Sequence, residues 1–149
     1  MGDPVLHIDL RDWADVCLIA PLSAHSLAKI AHGLCDETLS CVVRAWDLGH
    51  GLTRPGKPLL LAPAMNTAMY QHPITQQQLH TIQQFWKAST ASTTTDSNNN
   101  NNNINNNNKK NGIHIIAPQV KTLACGEVGD GALASVDCIL ETVKEVLGI

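Results

Sequence analysis

Four short segments hold the side chains of this chain best suited to chemistry. His7, in Asp3 to Asp12 (DPVLHIDLRD), carries an imidazole able to accept or donate a proton near neutral pH. Ser23 and Ser26, in Pro21 to Ser26 (PLSAHS), offer two hydroxyls beside the N–H groups of a helix start, a combination suited to an anion or a polar cofactor edge. Asn66, in Pro63 to Tyr70 (PAMNTAMY), offers amide donors and a carbonyl acceptor to a ligand carboxylate. Cys125, in Leu123 to Leu133 (LACGEVGDGAL), lies in a glycine-rich stretch that reads as a mobile flap carrying a thiol.

Each of these has a plainer use. A serine at a helix start serves equally as an N-cap. Met65 and Met69, four apart, fill a core as readily as they line a site, and a lone cysteine is commonly a small buried hydrophobe. His7 competes with six other histidines and could be a surface or cap residue. His32 and Cys35 share a helix face, but no further metal ligands are evident.

The elements that must position these groups are visible as apolar runs. Ala14 to Ala20 (ADVCLIA), Pro58 to Ala62 (PLLLA) and Ile113 to Ala117 (IHIIA) each end in Ala-Pro. Continuous apolar runs without polar alternation suit strands covered on both faces, so the expectation is a parallel sheet between helices. In such sheets the loops at the carboxyl ends of the strands build the ligand site. Leu27, Ile30, Ala31 and Leu34 repeat at helical spacing, with Ser23 or Ser26 as N-cap and Gly33 near the end. Thr75 to Trp86 reads as a second helix, and Val136, Ile139, Leu140, Val143 and Val146 as the apolar stripe of a third behind Ser135.

Composition narrows the function. With 149 residues, 44% of them hydrophobic, the chain is expected to form one domain, 1–149. A formal charge of -3 and scattered Lys and Arg argue against nucleic acid as a partner. No apolar run reaches the roughly 20 residues a membrane span needs, and the first residues lack a basic, then apolar leader, so a cytoplasmic location is expected. Five cysteines (Cys17, Cys35, Cys41, Cys125, Cys138) without a C-x-x-C pair are expected to be thiols. From Ala88 to Asn111 the sequence turns to Ser, Thr and a tract of Asn, which cannot bury enough apolar surface to offset its ordering entropy; a disordered insertion is expected at about 88–111.

Taken together, the segments resemble the flavin-dependent cysteine decarboxylases, a family marked by PASANT and PxMNxxMW motifs, which stand here as PLSAHS and PAMNTAMY. DPVLHIDLR, GLCDETLSCVVRAWD (Gly33 to Asp47) and LACGEVGDGAL look most like the eukaryotic members of coenzyme A biosynthesis. The resemblance implies an α/β flavodoxin-like (Rossmann-like) fold, FMN as cofactor, and decarboxylation of 4'-phosphopantothenoylcysteine to 4'-phosphopantetheine in a homotrimer or mixed trimer with flavin sites between subunits. By matching positions it places Ser23, Ala24, Ser26 and Met65 at the flavin and Ala64, Met65 and Asn66 at the substrate. His7 would be the catalytic histidine, and Cys125 would protonate the enethiolate. His25, Ser26 and Tyr70 depart from the motifs, at positions where family members carry Asn, Thr and Trp. Nothing here corresponds to the amino-terminal strand and loop that take the flavin phosphate, so the chain looks like the carboxyl-terminal two thirds of a member. The alternative that this suggests is a non-catalytic or regulatory subunit of a mixed trimer.

Overall fold

The computed structural model describes residues 5–49, 56–91, 111–122 and 128–149. Along the chain these form α1 (Leu6–Trp13), β1 (Cys17–Leu22), α2 (Ala24–His32), α3 (Thr38–Ala45), β2 (Leu59–Pro63), α4 (Thr67–Gln71), α5 (Pro73–Ala91), β3 (Ile113–Ile115), β4 (Gln119–Thr122), β5 (Val128–Ala132) and α6 (Val136–Leu147). Strands β1, β2 and β3 form a parallel sheet in that spatial order, and β4 pairs antiparallel with β5.

The apolar run LLLA explains the centre of the sheet. β2 has a neighbour on each side and every one of its residues is buried. Because side chains alternate across a strand, Leu59 and Leu61 meet one cluster and Leu60 and Ala62 another. The first cluster joins Ile19, Leu27 and Ile30 to Leu79 and Ile82, which seats α2 and α5 on that face, with Leu39, Val42 and Val43 of α3 against it. The second joins Ile116 and Ala134 to Ile139 and Val146 of α6 on the opposite face. Each fully buried leucine contributes about 1.5–3 kcal/mol relative to exposure. The expected parallel sheet with helices on both faces is therefore present.

Local chemistry sets the boundaries. Ser23 Oγ accepts from the Ser26 N–H at 3.1 Å, so Ser23 and not Ser26 caps α2, and Gly33 closes the helix at φ 69°. β1 begins later than the apolar run implied and takes in Pro21, which an edge strand tolerates because its ladder needs no N–H there. α5 starts at Pro73, a residue whose missing N–H costs nothing in the first helical turn, and runs on to Ala91, into the first residues of the Ser/Thr-rich stretch. Residues 92–110 of the expected insertion lie outside the described residues.

Several elements were not foreseen. The His7 segment is helical, and its C-terminal end is held by the Lys57 ammonium, which donates to the carbonyls of Arg11 at 2.8 Å, Asp12 at 3.3 Å and Ala14 at 2.7 Å. α3 begins in a capping box in which Glu37 accepts from the Leu39 and Ser40 N–H groups and the Ser40 hydroxyl accepts from the Glu37 N–H. Of the glycine-rich segment read as a flap, Val128–Ala132 is strand β5, paired with β4 just before the segment.

Candidate functional site

Two loops and strand β5 meet at the carboxyl edge of the sheet. After Leu22 the chain turns through Ser23 into α2, and the Ser23 hydroxyl donates to that of Ser26 at 3.1 Å. After Pro63 it passes through Ala64, Met65 and Asn66 into α4. The Ala64 N–H donates to the Leu22 carbonyl at 2.9 Å, tying the second loop to the end of the neighbouring strand. The Met65 N–H donates to the Gly131 carbonyl at 3.0 Å, bringing β5 against the same loop. Ala64 and Met65, expected at the substrate, thus commit their N–H groups to the frame.

Asn66 Oδ1 accepts from the Met69 N–H at 2.8 Å and caps α4. That bond uses one of the two lone pairs of the amide oxygen, and the side-chain NH₂ has no partner among the described residues. Asn66 therefore has both side-chain N–H donors and one remaining lone pair of its oxygen open to a ligand.

Gly131 is the tightest point of the arrangement. Its φ of 103° is one that side chains rarely adopt, and a Cβ there would lie 2.6 Å from the Met65 carbonyl oxygen and 3.0 Å from Tyr70 Cβ. Beside it Gln71 Nε2 donates to Asp130 Oδ2 at 2.8 Å, and the Gln119 amide donates to the Leu133 carbonyl. Sequence reasoning saw these glycines only as flexibility. The signal it could have used is Gly-Asp-Gly beside an aromatic-bearing loop, a mark of close backbone approach.

A cleft of about 430 Å³ opens beside Asn66, between Ala24 on α2, Met69 on α4, His72 in the link that follows it, and Gln78 on α5. Of the expected flavin residues, Ala24 lines it, Ser26 is half-buried at the start of α2 and Ser23 is exposed. His7 lies elsewhere. It borders a separate cleft of about 280 Å³ with Cys35, Asp36, Glu37 and Cys41, just past the C-terminal end of α2. Ala24 is at the other end of that nine-residue helix, whose length is roughly 13 Å. The Lys29 ammonium, hydrogen-bonded to Asp36 at 2.7 Å, holds that carboxyl below its ordinary range. For Glu37, desolvation opposes ionisation but the Leu39 and Ser40 N–H groups outweigh it and lower the pKa, so both carboxylates flanking His7 stay charged. Cys125 lies outside the described residues.

A third cavity, of about 310 Å³, sits at the amino ends of the strands among Trp46, Leu59 and Ile113, and none of the expected site residues lines it. Among the described residues no three metal-ligating side chains cluster, and His32 Nδ1 is instead 2.7 Å from the Ala28 carbonyl. No helix among them is long and apolar enough to cross a membrane.

Comparison with known proteins fits this geometry. The chain is 44% identical over 144 residues to a probable phosphopantothenoylcysteine decarboxylase of Arabidopsis thaliana, which covers 97% of the chain and 55% of that relative. A solved PPC decarboxylase mutant complexed with pantothenoylaminoethenethiol superposes with a TM-score of 0.72 at 40% identity, covering all of the chain and 64% of that structure. The FMN binding protein AtHal3 superposes with a TM-score of 0.69 at 43% identity, over 97% of the chain and 60% of that structure. The chain spans about half the length of the curated relatives it matches. Residues 1–148 match the pattern described as Flavoprotein. A parallel sheet covered on both faces, loops gathered at its carboxyl edge and a match over almost the whole sequence agree: this chain belongs to the flavoprotein family and has a flavodoxin-like fold.

Proposed function

We propose that this chain forms the substrate-handling part of an FMN-dependent decarboxylase that converts 4'-phosphopantothenoylcysteine to 4'-phosphopantetheine in coenzyme A biosynthesis. The names of its relatives support the reading. The observation that carries it is the Asn66 NH₂, a pair of unspent donors set between the β1 loop and β5.

The carboxyl edge suits a flavin. Ser26 accepts from Ser23 and keeps its own hydroxyl proton to donate, Ala24 leaves room for a ring, and Met65 is half-buried with a polarizable sulfur. Bound FMN supplies the oxidation of the substrate thiol and the return of those electrons once carbon dioxide has left. Ser23, Ala24, Ser26 and Met65 orient the ring. The Asn66 NH₂ holds the substrate carboxylate with neutral donors. A guanidinium would grip the ground-state charge more strongly, and that grip would have to be given up as carbon dioxide departs.

Cys125, between β4 and β5, is assigned the proton that the enethiolate takes up, in keeping with the docking of β5 on the Asn66 loop. His7 is assigned proton acceptance from the substrate thiol. Because its cleft lies past the far end of α2, it would serve the site of a neighbouring copy, and a trimer in the cytoplasm belongs to the same proposal.

One single-turnover experiment tests the reading: protein, FMN and 4'-phosphopantothenoylcysteine are mixed, and carbon dioxide release and flavin absorbance are followed together. Where FMN is held, release from the parent chain and none from Asn66→Asp is expected. Protein that holds FMN yet releases no carbon dioxide overturns it.

A further inference from the structure

The cavity of about 310 Å³ at the amino ends of the strands takes no part in the chemistry above. Its floor is Trp46, Leu59 and Ile82, all buried, and its rim carries two exposed apolar side chains, Leu34 and Phe85. The neutral polar side chains that line it are already satisfied. The Ser40 hydroxyl accepts from the Glu37 N–H at 3.3 Å and donates to the Glu37 carbonyl at 2.9 Å, and the Trp46 indole N–H donates to the Lys57 carbonyl at 3.0 Å. Arg44 is different. Among the described residues it is the one charged side chain in the lining, and no carboxylate pairs with its guanidinium. Its Nε lies 3.8 Å from where a Cβ on Gly33 would stand, so the guanidinium sits against another residue of the same lining.

A buried apolar floor that continues into exposed apolar side chains at the rim is a surface that a hydrocarbon covers with gain, in proportion to the area removed from water. The specific contact left on it is a planar fork of cationic donors, which matches a carboxylate with two parallel hydrogen bonds. An amine would be repelled there, and a neutral chain would leave the guanidinium unmatched. We propose that this cavity binds a hydrophobic carboxylate, its tail on Trp46, Leu59 and Ile82 and its carboxylate on Arg44. The volume is at the small end of ligand pockets, roughly 300–1,000 Å³, which suits one short hydrocarbon chain and not a folded peptide segment. The Asn66 cleft lies at the other, carboxyl edge of the sheet and shares no lining residue with this cavity. The two ligands therefore do not compete, and the inference stands without the decarboxylase reading.

The test titrates octanoate, octanol and octylamine into the full chain by calorimetry, with hexanoate to gauge the tail. The parent should bind octanoate best, and each methylene from hexanoate to octanoate should tighten binding about fourfold. Arg44→Met keeps an apolar stem in the lining and removes the charge; it should weaken octanoate about tenfold and leave octanol unchanged. Leu34→Glu changes an exposed rim position, where folding tolerates it, and sets a carboxylate against the ligand's own. It too should weaken octanoate more than octanol, so that two independent variants report on the same place. Melting temperatures close to the parent's show that both remain folded. A parent that does not bind octanoate, or that binds octylamine as tightly, overturns the site. So does parental octanoate affinity in a folded Arg44→Met or Leu34→Glu protein, which would put the ligand elsewhere on the molecule.

Discussion

The Met65 N–H and the Gly131 carbonyl are 3.0 Å apart, and the Gly131 Cα faces the Met65 carbonyl so closely that a methyl group on it would sit 2.6 Å from that oxygen. Two backbones therefore touch where the Asn66 loop meets β5. Gly131→Ala should separate them. The loss combines a positive φ with a contact to backbone that cannot turn aside, and about 2–4 kcal/mol is expected. Urea unfolding would measure it; a variant as stable as the parent would show that the two segments can part freely.

Asn66 performs two tasks that substitution can separate. Asn66→Asp keeps an oxygen for the Met69 N–H and should leave stability nearly unchanged, while placing a negative charge where we propose that a ligand carboxylate binds. Asn66→Ala should lose the cap, about 1 kcal/mol, as well as the donors. Thermal melting and ligand titration on both variants would resolve the tasks. Tight carboxylate binding by Asn66→Asp would remove Asn66 from the site.

Lys57 is expected to matter more than a surface lysine does. It serves three carbonyls at the end of α1 and stands 5.9 Å from the centre of the Trp46 ring, whose N–H donates to the Lys57 carbonyl at 3.0 Å. Lys57→Met keeps the stem and removes the charge; a loss of about 1.5–3 kcal/mol is expected from charged hydrogen bonds. Equal unfolding midpoints for variant and parent would show that α1 holds its end without it.

Burial pushes the Cys17 thiol up to about 11, so at neutral pH it is protonated and unreactive. Iodoacetamide at pH 8 should modify the exposed Cys35 and Cys138 well before Cys17, as read by peptide mass. The folded state also binds the Cys17 proton more tightly than the unfolded state. Stability should therefore fall as pH rises from the ordinary thiol value of 9.0 toward about 11, a decline that Cys17→Ala should lessen.

The sheet was legible because its signal is local: LLLA admits no solvent-facing alternation, and a strand without a polar face must be covered twice. The helices at Leu27 and Val136 declared themselves by spacing, cap and closing glycine. α1 and α3 did not. They are eight residues each, and α1 buries no residue fully, so periodicity had little to act on. The site was half legible. Residue type suggested Asn66, but only the structure shows that its oxygen caps α4 while its NH₂ is left for a ligand. Gln78 was invisible, since one of three consecutive glutamines on a polar helix gives no hint that it alone turns inward. His7 and Asn66 were both picked out by type, yet no sequence pattern says that they lie past opposite ends of α2.

The bond from Ala64 to the Leu22 carbonyl continues the β1–β2 pairing beyond the strands themselves. Its consequence is a fixed ruler. The gap between the Ser23 turn and the Asn66 turn is inherited from the spacing of neighbouring strands, about 4.8 Å, and not from the side chains that face the ligand. Replacements such as His25 or Tyr70 can thus change what is gripped without changing the distance across which it is gripped, so a lineage can drift in its preference for ligands while the jaws keep their opening.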